Sequence, residues 1–532
     1  MNTANKRRDT MKNWFSSSLL WAYSSVAMAS PIDSAYACLE IVDLLCAQKI
    51  RDSQMALYPQ ERDVQELNMR ILFHEGRYEE LLILLEEFSS SGESIDDTGQ
   101  YPMFATVEAA EGMMNSKGEG VEVRHDPGID RILSSEGIDV LEASRSVYDP
   151  LFGGGPDHDI VLDIFPTAKR FIMASGLPPE SVRTTGVIAL SKWNRLLLTS
   201  PRSTSRGYAW KDTVAHEYIH LVVAWRSEDN APVWLQEGLA KYLEGAWRGE
   251  RKKYLSAHQM SLLAEAIRED SFVPFEKFAR SMAYLDSSEE AALAFAQVAT
   301  MVGFLQSRVG DSVFNSLMEK LRAGATAEEA VSELAGYTQF DDFIHAWKIY
   351  IQGLPLIQEE LAALPLNLDG SGGDFEDDPL LGIRQDLAKY ARLGDLLLEA
   401  ERPKAALIEY EKAIDEDAPP SPSIFARRAQ CNQVLGKTEL SLSLVEEGIR
   451  LYPEFPLLLK TAGDIHSDLN QPQTAVNYYR AAHDINPYQP EIQQALIQHY
   501  ETLGKNEDAL HHREIAEILS TGGARRTITN GE

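Results

Sequence analysis

At 532 residues the chain is too long for one hydrophobic core and divides into three or four domains on size alone. With 44% hydrophobic and 25% charged residues its composition is that of a soluble globular protein, and a formal net charge of -31 argues against nucleic acid or an anionic membrane surface as the main partner. The three cysteines, Cys38, Cys46 and Cys431, offer neither a metal-ligand spacing nor a disulfide framework. A Cys38 to Cys46 bridge would require a break in the helix between them, because eight helical residues span about 12 Å.

In chain order, residues 1–29 read as an export signal. Lys6, Arg7, Arg8 and Lys12 form a basic start, Trp14 to Met28 is moderately apolar, and Ala27-Met28-Ala29 is a small-x-small cleavage site before Ser30. The expected location is therefore outside the cytoplasm, periplasmic or extracellular. Five serines in the apolar stretch support the alternative, an amphipathic first helix of a cytoplasmic protein. No run of about 18 uncharged apolar residues occurs elsewhere, so the mature chain is expected to lack an integral membrane span.

Residues 30–92 have helical periodicity, with apolar positions three and four apart in CLEIVDLLCAQKI and LLILLEEF. The turn at Glu75-Gly76 between two amphipathic runs suggests a helical hairpin resembling the tetratricopeptide (TPR) type. A polar linker, Ser89 to Gln100, follows. Residues 104 to 210 mix helix and strand. Val121 to His125, Ile160 to Phe165, Gly186 to Leu190 and Arg195 to Ser200 read as strands, and LSSEGIDVLEASRSVYDPLFG as a helix ended by Pro150 and Gly153. One of the last two strands is a candidate sheet edge for an extended peptide; equally, both are interior strands that only build the core.

The stretch Lys211 to Glu244 carries the chemistry. It contains H-E-x-x-H, and a helix over Asp212 to Trp225 puts His216 and His220 on one face, where two imidazoles can share a metal ion. Glu217 projects beside them, placed to take a proton from a metal-activated water. Asp212 or Thr213 is expected to cap the helix. A third ligand is needed, and Glu237 in Trp234-Leu235-Gln236-Glu237-Gly238-Leu239-Ala240 is the candidate.

The pair HEYIH and WLQEGLA resembles the gluzincin zinc metallopeptidases. The resemblance implies Zn2+ held by His216, His220 and Glu237, with Glu217 as general base. The spacing between His220 and Glu237 is slightly shorter than in the aminopeptidase branch, so the chain is not assigned to that branch. It also implies an α+β zincin-like catalytic domain over 104–354: a small mixed sheet, the active-site helix and a helical lower half, which the helical pattern after Glu244 matches. A Tyr or His of that half commonly stabilises the oxyanion in such enzymes; Tyr284 is the candidate, against the ordinary role of a core or surface tyrosine.

A Gly- and Asp-rich linker spans 366–382. Beyond it Pro419, Pro453 and Pro487 recur every 34 residues, and Ala475/Ala509 and Ala482/Ala516 hold the same phase. This is the TPR period, and four repeats fit within 387–520 as an all-α solenoid, with a disordered tail at 521–532. The linker suggests that the array can move or be removed without disturbing the catalytic half. The expected function is zinc-dependent hydrolysis of a peptide or protein substrate, with a protein partner or substrate bound in the TPR groove. The alternative is an interaction scaffold that keeps the zinc-bound fold and has lost hydrolysis.

Overall fold

The computed structural model describes residues 30–90, 102–179, 186–249, 254–279, 282, 285–361, 364, 382–415 and 419–529, with side chains to 522. The expected export segment at 1–29, most of the linkers at 89–100 and 366–382, and Tyr284 lie outside the described residues. No helix among the described residues is long and apolar enough to cross a membrane.

Four helices open the fold: Pro31–Glu40, Leu44–Leu57, Arg62–His74 and Tyr78–Ser90. Ser30 caps the first through a capping box with Asp33, which satisfies two backbone donors at once. The chain then breaks at Ile41–Asp43, where Val42 has φ 64°. That break is the condition the spacing set, and it brings the Cys38 and Cys46 Cα atoms to 5.8 Å, joined in a disulfide.

The sheet has five strands, β1 (Met114–Gly118), β2 (Val121–His125), β3 (Ile160–Phe165), β4 (Ala189–Lys192) and β5 (Arg195–Thr199), in the order β1-β2-β3-β5-β4. The central pairs β2/β3 and β3/β5 are parallel; the flanking pairs β1/β2 and β4/β5 are antiparallel. Strands β3 and β5 are buried along their whole length, which is why both read as continuous branched runs. A two-residue turn joins β4 to β5, with Trp193 and Asn194 both at positive φ, as tight hairpins require. Of the two candidate edges, β4 lies at the edge and β5 is interior.

The helix Leu133–Phe152 passes through Pro150 and stops one turn later, at Gly153 (φ 82°), where the N–H of Gly154 bonds the Asp149 carbonyl. Expecting both residues to end it was half right: a proline in the last turn loses little.

Two helices carry the central motifs, Trp210–Ser227 and Val233–Leu243, and beneath them lie Ser288–Val309, Ser312–Arg322, Ala327–Ala335 and Phe340–Ile351. One continuous core joins the sheet, the long helix Leu133–Phe152 and this helical half.

The C-terminal region is four successive helix pairs: Ala388–Glu399 with Pro403–Lys412, Pro422–Val434 with Thr438–Leu451, Pro456–Asp468 with Pro472–Ile485, and Pro490–Thr502 with Asn506–Thr529. Equivalent contacts recur. The hydroxyl of Tyr410 donates to Asp395 at 2.8 Å while its ring fills the space beside Gly394, and Tyr479 repeats this with Asp464 and Gly463. The last helix runs to Thr529, into the stretch expected as a tail, and Ile515, Ile518 and Leu519 within it pack on the core that joins the sheet and the helical half. The array that the linker suggested could move or be removed is docked on the rest of the fold. Tyr488 is part of the same core cluster as the motif helix, and Ile357 and Leu361 pack with Phe425 and Leu458.

Candidate metal centre

The motif helix is oriented by its apolar faces: Trp210, Val214, Ala215, Ile219, Val222 and Val223 are fully buried, which leaves the line through His216 and His220 partly exposed. It carries no side-chain cap. Instead of capping, Asp212 accepts from Trp247 Nε1 at 2.9 Å and from Arg248 at 2.6 Å, and the Thr213 hydroxyl donates back to the Ala209 carbonyl at 3.1 Å. Burial lifts the Asp212 carboxyl to about 7 despite the opposing Arg248.

Glu228 and Asp229, both in the left-handed region, reverse the chain after Ser227 and return it along the second helix. That helix is anchored by buried Trp234, Leu235, Leu239 and Ala240, with Trp234 Nε1 donating to Glu328 at 3.2 Å. Gly238 lets it approach the helix Ser288–Val309, since a Cβ there would stand 2.9 Å from the Val298 carbonyl oxygen.

These two helices bring the three expected ligands together. His216 Nε2 and His220 Nε2 each lie 3.5 Å from Glu237 Oε2, and one ligand atom from each of the three falls within 4.8 Å of the others. No other such group occurs among the described residues. The rings stand 4.9 Å apart at 71°, and all three side chains remain partly exposed on one side.

Glu217 is buried and packs toward the sheet edge, where the backbone of Ser191 in β4 bonds its carboxylate. Burial raises its carboxyl against the pull of His220 and His216. Glu237 goes the other way: burial would raise it, but the two imidazoles hold it well below the carboxylate range. His216 is lifted to about 10 against its own burial, chiefly by Glu237 and Glu244. Three carboxylates around two imidazoles form a site whose charge is relieved by a cation.

Glu244 was missed as a functional residue. Its Oε2 lies 3.2 Å from His216 Nδ1, and its Oε1 accepts from Lys241 Nζ at 2.5 Å. A carboxylate on Nδ1–H leaves Nε2 as the free donor, which is how imidazole ligands are oriented. The signal was available: Glu244 falls two helical turns after Glu237 and so lies over the same face. The donor set, two imidazole nitrogens and one carboxylate with an oriented imidazole behind, fits a tetrahedral metal site with one open position.

Residues 153–353 match the model of the Peptidase MA superfamily. The matched stretch holds His216, Glu217, His220, Glu237 and Glu244 and covers well under half of the chain. Among curated proteins none matches it. Similar solved structures include yeast LTA4 hydrolase, native (12% identity, TM-score 0.30, 77% of this chain and 66% of that one) and in complex with bestatin (12%, 0.29, 76% and 67%). The chain thus spans about two thirds of the length of either hydrolase chain. MamA is similar over 27% of this chain and 81% of its own, at 13% identity and a TM-score of 0.23.

Proposed function

We propose that the chain is a zinc-dependent peptidase of gluzincin type, exported, whose C-terminal TPR repeats bind a partner or substrate. The observation that carries this reading is the convergence of His216, His220 and Glu237 within 4.8 Å, with Glu217 buried beside His216 on the same helix. Zn2+ in that donor set supplies a Lewis acid that polarises a carbonyl and acidifies water. Glu217, raised by burial, accepts the proton of the attacking water and returns it to the leaving amine. Strand β4, an edge tied to Glu217 through Ser191, offers main-chain groups along which an extended peptide can lie. Glu244 holds His216 in its coordinating tautomer. Export is supported by the basic and apolar start and by the Cys38–Cys46 pairing, since disulfides persist in oxidising compartments. A native N-terminus near Ser30 by mass spectrometry is the expected result, and an intact residue 12–28 stretch refutes it.

The deciding experiment separates the two glutamates. Glu217→Gln keeps stoichiometric zinc and loses cleavage of a casein-type substrate by about a hundredfold or more; Glu237→Ala loses zinc as well. A Glu217→Gln protein that cleaves at the wild-type rate defeats the mechanism, and zinc retained in Glu237→Ala overturns that ligand. Wild-type protein that binds zinc and cleaves nothing supports the scaffold.

A further inference from the structure

The motif helix begins without a cap of its own and with a cation, Lys211, in its first turn. Both features are unfavourable there, because the first N–H groups lack partners and the helix dipole is positive at that end. Lys211 is nonetheless largely buried. Its ammonium stands 3.0 Å from Glu136 on the helix Leu133–Phe152 and donates at 2.6 Å to Asp484 of the C-terminal array.

Glu136 is itself shared between the two halves. Its other oxygen accepts from His483 Nε2 at 2.7 Å and from His511 Nε2 at 3.3 Å, both in the array. Gln493 fixes the tautomer. Its Nε2 donates to His483 Nδ1 at 2.9 Å and to the Pro487 carbonyl at 2.7 Å, while its Oε1 accepts from His512 Nδ1 at 2.8 Å. His483 therefore carries its proton on Nε2, aimed at Glu136.

The backbone is clamped as well. The N–H of Tyr208, two residues before the helix, donates to the Ile485 carbonyl at 3.1 Å, and a Cβ on Gly207 would collide with that same oxygen. Tyr488 completes the seat by donating to Asp130 at 2.6 Å, beside Ser200.

We propose that Lys211 is a positioning residue through which the docked C-terminal array holds the metal-site helix in register: the turn around His483–Tyr488 fixes the start of the helix through the Lys211 ammonium and the Tyr208 N–H, and displacing the array loosens His216 and His220 relative to Glu237. The lever is short. His216 lies little more than one turn beyond Lys211, and Glu237 sits on a separate helix, so any rotation of the first helix changes the 3.5 Å separations that define the site. A partner that pulls on the array thereby changes metal affinity and turnover without touching the cleft.

This inference takes its catalytic consequence from the peptidase reading, but its physical content, coupling of array docking to helix order, is tested without catalysis. The full-length protein carries Asp484→Lys, which puts a second cation against Lys211, and the milder Asp484→Asn serves if the first fails to fold. Hydrogen exchange of the metal-free protein is followed at 207–216, at 483–488 and at 422–451, with zinc affinity from chelator competition. The expected result is exchange at least tenfold faster at both 483–488 and 207–216, unchanged exchange at 422–451, and zinc bound at least tenfold more weakly. Release of 483–488 with 207–216 and zinc affinity unchanged overturns the proposal, as does a lower Tm with zinc affinity unmoved. Wild-type protein that neither binds zinc nor cleaves defeats the peptidase reading instead, and leaves the exchange result standing.

Discussion

Substituting Glu244 by Gln asks what the carboxylate behind His216 contributes. The amide keeps an acceptor within reach of His216 Nδ1, now 3.2 Å from Glu244 Oε2, and removes only the charge. Hydrogen bonds to ionised groups contribute about 1.5–3 kcal/mol against about 1 kcal/mol for neutral ones, so the change costs roughly 1–2 kcal/mol of ligand orientation and basicity. That corresponds to zinc bound about tenfold more weakly, within the range typical of residues that orient a metal ligand. The substitution also strips Lys241 of the partner it meets at 2.5 Å, so the double variant Glu244→Gln/Lys241→Met serves as control: it recovers the stability lost to an unpaired ammonium while zinc affinity stays low. Chelator competition gives the affinity and a thermal melt of the metal-free protein the stability. Wild-type zinc affinity in both variants would refute the claim that Glu244 acts through His216.

Gly238→Ala forces a methyl to within 2.9 Å of the Val298 carbonyl and 3.1 Å of Val302, so it should destabilise by about 1–3 kcal/mol and weaken zinc binding by shifting Glu237; thermal melts with and without zinc check both. Acid should destabilise the fold through two buried imidazoles. Burial, then Arg195, pushes His74 down to about 3, and burial, then His483 and His511, pushes His512 down to about 3. Folded values below the ordinary 6.5 mean that the unfolded chain takes up the protons, so this stability is complete above pH 6.5 and falls as pH drops toward 3, by about 2 kcal/mol per histidine at pH 5. Equal urea midpoints at pH 7.5 and pH 5 would contradict it. Ending the chain near Gly370 removes the partners of Glu136, Lys211 and Asp130 and uncovers the core around Tyr488, so the truncated protein should unfold at lower urea or aggregate; a stable monomer with the full-length melt would show the interface to be dispensable.

What the sequence made legible follows the range of the forces involved. His216 and His220 could be placed together because four-residue spacing on a helix is a local rule, whereas Glu237, on a separate helix, was picked out only by the resemblance of its WLQEGLA segment; β3 and β5 could be placed because strands buried on both faces leave unbroken branched runs, and β2 because its branched residues alternate with polar ones. Strand β1 was not foreseen, since Met114–Gly118 is a mostly exposed edge strand with no branched residue, held by its pairing to β2 rather than by its own burial. The caps expected at Asp212 and Thr213 failed for a related reason: a partner distant in sequence, Trp247 with Arg248, outcompeted the local backbone for Asp212. The docking of the array was the least legible feature. His483, Asp484 and Gln493 look like ordinary polar positions of a helical repeat, and their partners Glu136 and Lys211 lie more than 250 residues away. A flexible linker composition describes only the chain that joins two bodies; it is silent on whether their surfaces meet. Here they meet at the first turn of the helix that carries His216 and His220, where Asp484 and the Ile485 carbonyl hold Lys211 and Tyr208.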